Sequence, residues 1–226
     1  MQFDWAEFFN FGNMLIPLWE TVYMVLISMF FALLIGMPLG VLLVTSSENH
    51  IAPNRSLNKI LDIILINITR SIPFIILMVV LIPIARGIIG KSFGNEAFIV
   101  YLALGSAPFV ARVIEGALNE VDKGLIEASK SLGATNFHII TKVMLPEALP
   151  SLIHGMVLAL ITLIGYSAMA GIVGGGGLGN QAVVAGFQNS NPAIIWKATL
   201  IIILLVQVIQ FFGNLIVKKI YKKRGK

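Results

Sequence analysis

Residues 21–47 read TVYMVLISMFFALLIGMPLGVLLVTSS, an apolar run without a single Asp, Glu, Lys or Arg. A helix that crosses the hydrocarbon core of a bilayer needs about 20 such residues, so this stretch predicts a membrane span, over 21–44. The rest of the chain has the same character. Of its 226 residues, 57% are hydrophobic and 12% charged, and the mean hydropathy is +0.90. A soluble domain carries about a quarter charged residues. In lipid every backbone polar group must be paired within the structure, and no alternating strand pattern runs through the sequence. The fold class that follows is an all-α integral membrane bundle.

Working outward, the next apolar region runs from Ile60 to Ala85 and is interrupted by Asn67 and Arg70. A third span, Ala97 to Ile114, holds Gly105, Pro108 and Arg112. Leu152 to Ile172 and Ala193 to Val217 complete a set of five. The beginning of the chain carries Asp4 and Glu7, no basic run and no small-residue cleavage site, so it does not read as a signal peptide. The organisation expected is an outer segment 1–16, a membrane domain 17–217 and a tail 218–226.

Five spans put the termini on opposite sides. Lys218, Lys219, Lys222, Lys223, Arg224 and Lys226 crowd the C-terminus, whereas the first 20 residues contain no Lys or Arg. The positive-inside rule then places the tail in the cytoplasm and the N-terminus outside, and the tail against anionic lipid. No folded basic surface accompanies it, which argues against a nucleic-acid role. The 45–59 and 115–150 loops fall inside, and the uncharged stretch 173–192 falls outside. Arg86 and Lys91 in the other outer loop run against the rule but are outnumbered by the tail. Trp19 and Trp196 flank spans one and five on the outer side, as interfacial anchors do.

A bundle with short connections leaves the segment 115–150 unexplained, because it is too long for a turn and too patterned for a linker. Leu125, Ala128, Ser129 and Leu132 recur at helical spacing, with Glu127, Lys130 and Ser131 on other faces. Gly133 stops that helix. Thr135 is placed to cap a second one, in which Phe137, Ile140, Val143 and Met144 share a side. Pro146 and Pro150 are expected to break it before span four. Such an element is either a docking helix for another protein or an amphipathic helix lying on the membrane surface.

The segment Glu127-Ala128-Ser129, then Gly133, then Val143-Met144-Leu145-Pro146 resembles the EAA signature of ABC importer permeases. Ser129 and Val143 depart from that pattern conservatively. The resemblance covers most of the chain: Arg70-Ser71-Ile72-Pro73-Phe74, Leu145-Pro146-Glu147-Ala148-Leu149-Pro150, Gly165-Tyr166-Ser167-Ala168-Met169 and Gly174 to Gly179 are similar to the permeases of methionine importers fed by lipoprotein-type binding proteins. It implies a type I permease in a bacterial inner membrane, a homodimer of five-helix subunits, each docking one cytoplasmic ATPase. ATP and Mg²⁺ would bind that ATPase, and a substrate-binding lipoprotein would deliver the cargo from outside. Carried over by residue, Glu127 would make the polar contact with the ATPase, Ala128 and Ser129 would allow close approach, and Gly133 would form the bend. Leu145 and Pro146 close the motif. Alternating access would then require ATP to favour one arrangement of the helices over the other.

Span four is the best candidate to line a path, because Gly165, Ser167, Ala168, Ala170 and Gly171 make it slender. Tyr166 and Met169 are large enough to close a narrow passage. Met169 reads either as part of a gate or as adaptable packing. Arg70 and Arg112 are costly in a bilayer; each either finds a partner or snorkels to the headgroups, and Glu115 stands three residues from Arg112 on a helix. His50, His138 and His154 have no metal-ligand spacing, and cysteine is absent, so no metal site, disulfide or thiol nucleophile is expected. The run Gly174 to Gly177 with Leu178-Gly179 is either a docking segment for a binding protein or a flexible turn.

Three other signals fail. Ala85 to Ser92 lacks the first glycine of a phosphate-binding G-x-x-x-x-G-K-[ST] loop and follows a membrane helix, not a strand. The polyglycine lacks the Lys-Ser/Thr pair, so ATP hydrolysis is expected on another subunit. Gly165-Tyr166-Ser167-Ala168 hints at a serine nucleophile, but the base it needs is missing: His154 lies about three turns away on the same helix. A stand-alone secondary transporter would show internal repeats and intramembrane carboxylates; no repeat is seen, and Asp62 is the only carboxylate near the body of a span.

Overall fold

A computed structural model describes residues 4–223, the side chains of Ile64 and Leu65 excepted. Arg224 and Lys226 of the basic tail lie outside the described residues. Helices and turns account for the ordered elements, with no strand among the described residues. A short helix α1 (Trp5–Phe9) is capped by Asp4, whose side chain accepts from the Glu7 N–H. A tight turn, Gly12–Met14, leads into α2 (Leu15–Thr45). Asn54 caps α3 (Arg55–Ser71), and α4 (Phe74–Ile89) ends at Gly90. After α5 (Asn95–Asn119) come α6 (Lys123–Ser131) and α7 (residues 136–147). The chain continues through α8 (Leu149–Ser167), a turn at Ala170–Val173, α9 (residues 178–188) and α10 (Pro192–Lys223).

Among the described residues four helices are long and apolar enough to span a bilayer: Gly12–Thr45, Asn95–Asn119, Leu149–Ser167 and Pro192–Lys223. The pair α3 and α4, bent at the break between them, makes a fifth if the two are counted as one span. The apolar region read from the sequence as Ile60 to Ala85 is therefore not one continuous helix. Pro73 has no N–H to give and pushes the preceding Ile72 into extended backbone (φ −85°, ψ 124°), which ends α3 and restarts the helix at Phe74. Span four also stops earlier than expected, at Ser167 rather than Ile172.

The chain divides into two compact units, each built from parts of several spans. The first comprises residues 1–31, 73–106 and 160–211; its buried side chains include Met24, Phe98, Tyr101, Leu102 and Leu163. The second comprises 32–72, 107–159 and 212–226 and holds a core of Leu43, Leu61, Ile66 and Ala111, with Leu39 packed against it. Gly36 and Gly40 of α2 make that core possible. A Cβ on Gly36 would stand 2.9 Å from the Ala107 carbonyl oxygen, and one on Gly40 would stand 2.6 Å from that of Ala111. Two small residues four apart let the backbones of α2 and α5 meet, as helices in lipid commonly do.

Candidate coupling surface and translocation residues

The segment expected to couple to an ATPase is a helix, a closed bend and a second helix. Asp122 caps α6 by accepting from the Gly124 N–H at 2.6 Å. At its other end Gly133 takes φ +81°, the left-handed conformation that glycine adopts without strain. The Ala134 N–H bonds the Ser129 carbonyl at 3.1 Å, and the Gly133 N–H bonds that of Lys130 at 3.0 Å. This pairing is the Schellman closure of a helix. Thr135 caps α7 as the sequence implied, accepting from the His138 N–H at 3.3 Å.

Glu127, Ala128 and Gly133 are exposed, and Ser129 is half-buried with its hydroxyl donated to the Leu125 carbonyl at 2.7 Å. Leu132 is 88% and Phe137 76% exposed. Beneath them Ile126, Ile139 and Met144 are buried. The face expected for α7 therefore needs correction: Met144 is buried, but Phe137 points outward. The cause is a wide turn over Ile139–Met144, in which the Leu145 N–H reaches back five residues to the Ile140 carbonyl. That spacing aligns Ile139 with Met144 in place of the 3.6-residue set. The same wide turn accommodates Pro146, which lies exposed within α7 and does not break it; the chain turns at Ala148, and Pro150 enters the first turn of α8. Leu145 is half-buried.

Of the path candidates, Tyr166 is half-buried and stacks on Phe74, ring centroids 4.5 Å apart and planes 1° from parallel. Ser167 is buried and donates its hydroxyl to the Ile164 carbonyl at 2.7 Å, so it serves its own helix. Met169 is half-buried in the turn after α8, its N–H on the Tyr166 carbonyl at 3.0 Å.

Two polar constellations escaped the sequence reading in whole or in part. In the second unit Arg112 donates to Glu115, as its spacing suggested, at 2.6 Å. It also reaches across to α3, bonding Asp62 and, at 2.9 Å, Asn67. One guanidinium thus fastens α5 to α3. In the first unit three successive N–H groups of the glycine run are held by side chains. Asn95 Oδ1 accepts from Gly176 at 2.6 Å, Glu20 Oε2 from Gly177 at 2.7 Å, and Thr21 Oγ1 from Leu178 at 2.8 Å. Asn95 Nδ2 donates in turn to Glu20 Oε1 at 3.3 Å. A Cβ on Gly176 would fall 2.6 Å from Glu20 Cδ, so the glycines give a carboxylate room to approach the backbone. Their clustering was visible in the sequence, but not the residues that fill the space.

The model of the binding-protein-dependent transport system inner membrane component matches residues 36–224. This chain belongs to that family. Within it, the chain is 48% identical over 195 residues to the probable D-methionine transport system permease protein MetI of Pasteurella multocida, covering 86% of this chain and 89% of that one. It is 45% identical to the methionine import system permease protein MetP of Bacillus subtilis, over 80% and 82% of the two chains. A solved inward-facing structure of the MetNI methionine ABC transporter contains a chain that superposes with a TM-score of 0.87 at 47% identity, over 89% and 93% of the two. The chain is thus a multi-pass membrane permease component.

Proposed function

We propose that this permease imports methionine, as a homodimer whose two copies each seat a cytoplasmic ATPase on the α6–α7 face. The observation that carries the reading is that face: an exposed Glu127-Ala128 followed by Leu132 and a closed glycine bend, apolar on the outside and buried beneath. An exposed apolar knob on a firmly capped bend suits insertion into a partner's groove better than a solvated loop. The relatives named for methionine transport support the cargo, and the MetNI neighbour supports the ATPase. The N-terminus then lies outside and the basic C-terminus in the cytoplasm, with a substrate-binding lipoprotein delivering methionine to the outer face. ATP and Mg²⁺ bind the ATPase chain. Tyr166 and Met169, met by the partner copy, close the path.

Reconstitution with the ATPase and binding protein in liposomes tests this. Labelled methionine uptake is expected only with ATP, and Glu127→Arg is expected to abolish it while leaving the permease folded. Uptake indifferent to ATP would overturn the class, and ATP-driven uptake of cystine but not methionine would overturn the cargo. Met169→Ala is expected to change uptake rate or leak; unchanged transport removes it from the path. The chain has no cysteine, so single cysteines at Ser131 and Asn189 report orientation by their reaction with an impermeant maleimide.

A further inference from the structure

Lys197 of α10 is fully buried, at 0% exposure, yet it lies only a few residues inside a membrane helix that begins at Pro192. Its ammonium is enclosed by the N-terminal segment. It donates to Glu7 Oε1 and the Glu7 carbonyl, both at 2.7 Å, to the Asn10 carbonyl at 2.9 Å and to Asn13 Oδ1 at 3.0 Å. Asn13 Nδ2 returns a bond to Glu7 at 2.7 Å. An ammonium has three donors, so the cage satisfies it completely. Burying a charge so thoroughly is costly unless it is paired and fully bonded, and nothing in the importer chemistry above calls for it.

The cage compensates one of the segment's two acids. Glu7 is neutralised by Lys197; that hydrogen bond, then the one from Asn13, holds its carboxyl below the ordinary carboxylate value. Asp4, exposed at the start of the segment, caps α1. What points outward is aromatic: Phe9 is 68% and Trp5 65% exposed, with Phe11 beside them. The rings form one cluster, Trp5 with Phe8 at 6.2 Å, Phe8 with Phe9 at 5.3 Å and Phe8 with Phe11 at 6.3 Å between centroids. A few residues on, α2 opens with an exposed apolar side at Leu15, Ile16 and Trp19, a surface that as part of a membrane span meets lipid. Aromatic rings at the end of a span favour the headgroup level, where an apolar body and a polar rim are both accommodated.

We propose that residues 4–14 are an interfacial membrane anchor, their aromatic cluster seated among lipid headgroups and locked to span five by Lys197. The anchor holds whichever leaflet it occupies and whatever the cargo is, so its failure leaves the importer reading intact. The test uses the full chain with Trp19→Phe and Trp196→Phe, which leaves Trp5 as its sole tryptophan, reconstituted in phosphatidylcholine vesicles. Lipid brominated near the carbonyl end of its chains is expected to quench Trp5 by about half or more, with little quenching by aqueous iodide. Quenching by iodide and not by bromolipid would overturn the anchor in favour of a solvated helix. Quenching by neither would overturn it in favour of a protein cover, such as a second copy. Lys197→Met is expected to lower the bromolipid quenching at least twofold and Lys197→Arg to retain most of it. Should Lys197→Met fail to fold, Glu7→Gln serves, with a smaller loss expected. Bromolipid quenching unchanged in the folded variants would overturn the lock.

Discussion

The capture of the glycine run by Glu20 can be tested by a double-mutant cycle. Glu20→Ala removes the acceptor of the buried Gly177 N–H, now 2.7 Å from Glu20 Oε2, and of the Asn95 amide. A hydrogen bond to a charged group contributes about 1.5–3 kcal/mol, and an orphaned buried donor is costly in its own right, so a loss of about 2–3 kcal/mol is expected. Glu20→Gln keeps an acceptor of the same reach without the charge and should cost about 1 kcal/mol. Gly176→Ala acts from the other side. The backbone there is not in the left-handed region, so alanine is conformationally acceptable, but its Cβ would lie 2.6 Å from Glu20 Cδ and must displace the carboxylate. Its cost should match that of Glu20→Ala, because it breaks the same bonds.

The decisive quantity is the coupling. Once Glu20 is alanine, the methyl at position 176 no longer meets the carboxylate, so the double variant should be more stable than the sum of the singles predicts by about 2–3 kcal/mol. Thermal unfolding of the purified permease in detergent reads this, since about 1 kcal/mol corresponds to about 2–4 °C in a chain of this length. Each single alanine variant should therefore melt about 4–12 °C lower. Strict additivity, or a Glu20→Ala variant that melts with the parent, refutes the capture and returns the glycines to a slack turn.

Other outcomes follow from the same geometry. Gly40→Ala, whose Cβ would stand 2.6 Å from the Ala111 oxygen, should destabilise by about 1–3 kcal/mol through overpacking. Gly116→Ala, with nothing within 4 Å, should hold or raise the melting temperature. Arg112→Met strands Asp62 and Glu115 without their cation and should cost about 3 kcal/mol, against about 1 kcal/mol for Asp62→Asn, which leaves the Glu115 pair intact. Both are read as thermal shifts, and an equal effect of the two would refute a shared brace. Burial, aided by Lys123 and Lys130, holds the His50 imidazole below its ordinary value. That stabilisation is present above the unfolded value of about 6.5 and is lost as the pH falls through the folded one. His50→Gln should therefore lose less stability than the parent on titration from neutral to about pH 5.

Much of this was legible in the sequence, for reasons that differ by element. Spans with long uninterrupted apolar runs declared themselves, because hydropathy in lipid is nearly the whole criterion for a helix. Gly133 and Thr135 were readable as stop and cap because those roles depend on a residue's own backbone and side chain. Failures came where a local irregularity changed the helical period. The wide turn over Ile139–Met144 moved Phe137 to the outside, and no window based on 3.6 residues could have shown that. The break at Ile72–Pro73 was signalled by proline itself but masked by apolar residues on both sides. At the proposed path, Ser167 was singled out by type, whereas its environment assigns the hydroxyl to the Ile164 carbonyl.

Polar partners were harder to read than polar residues, and the three constellations show why. Arg112 announced its cost and its neighbour Glu115 on the same helix, but Asp62 and Asn67 come from α3, at separations of 50 and 45 residues. Glu20 meets an amide 157 residues away, and Lys197 an acid 190 residues away. A charge in a membrane protein must be met by something, but local spacing names only the partners one helical turn away. The requirement can still be used in reverse. An ionisable residue in a span with no local partner, such as Lys197, demands an acceptor from elsewhere in the fold. Here the demand is answered by the N-terminal segment, and answering it pairs Glu7 and leaves the aromatic rings of that segment to face outward.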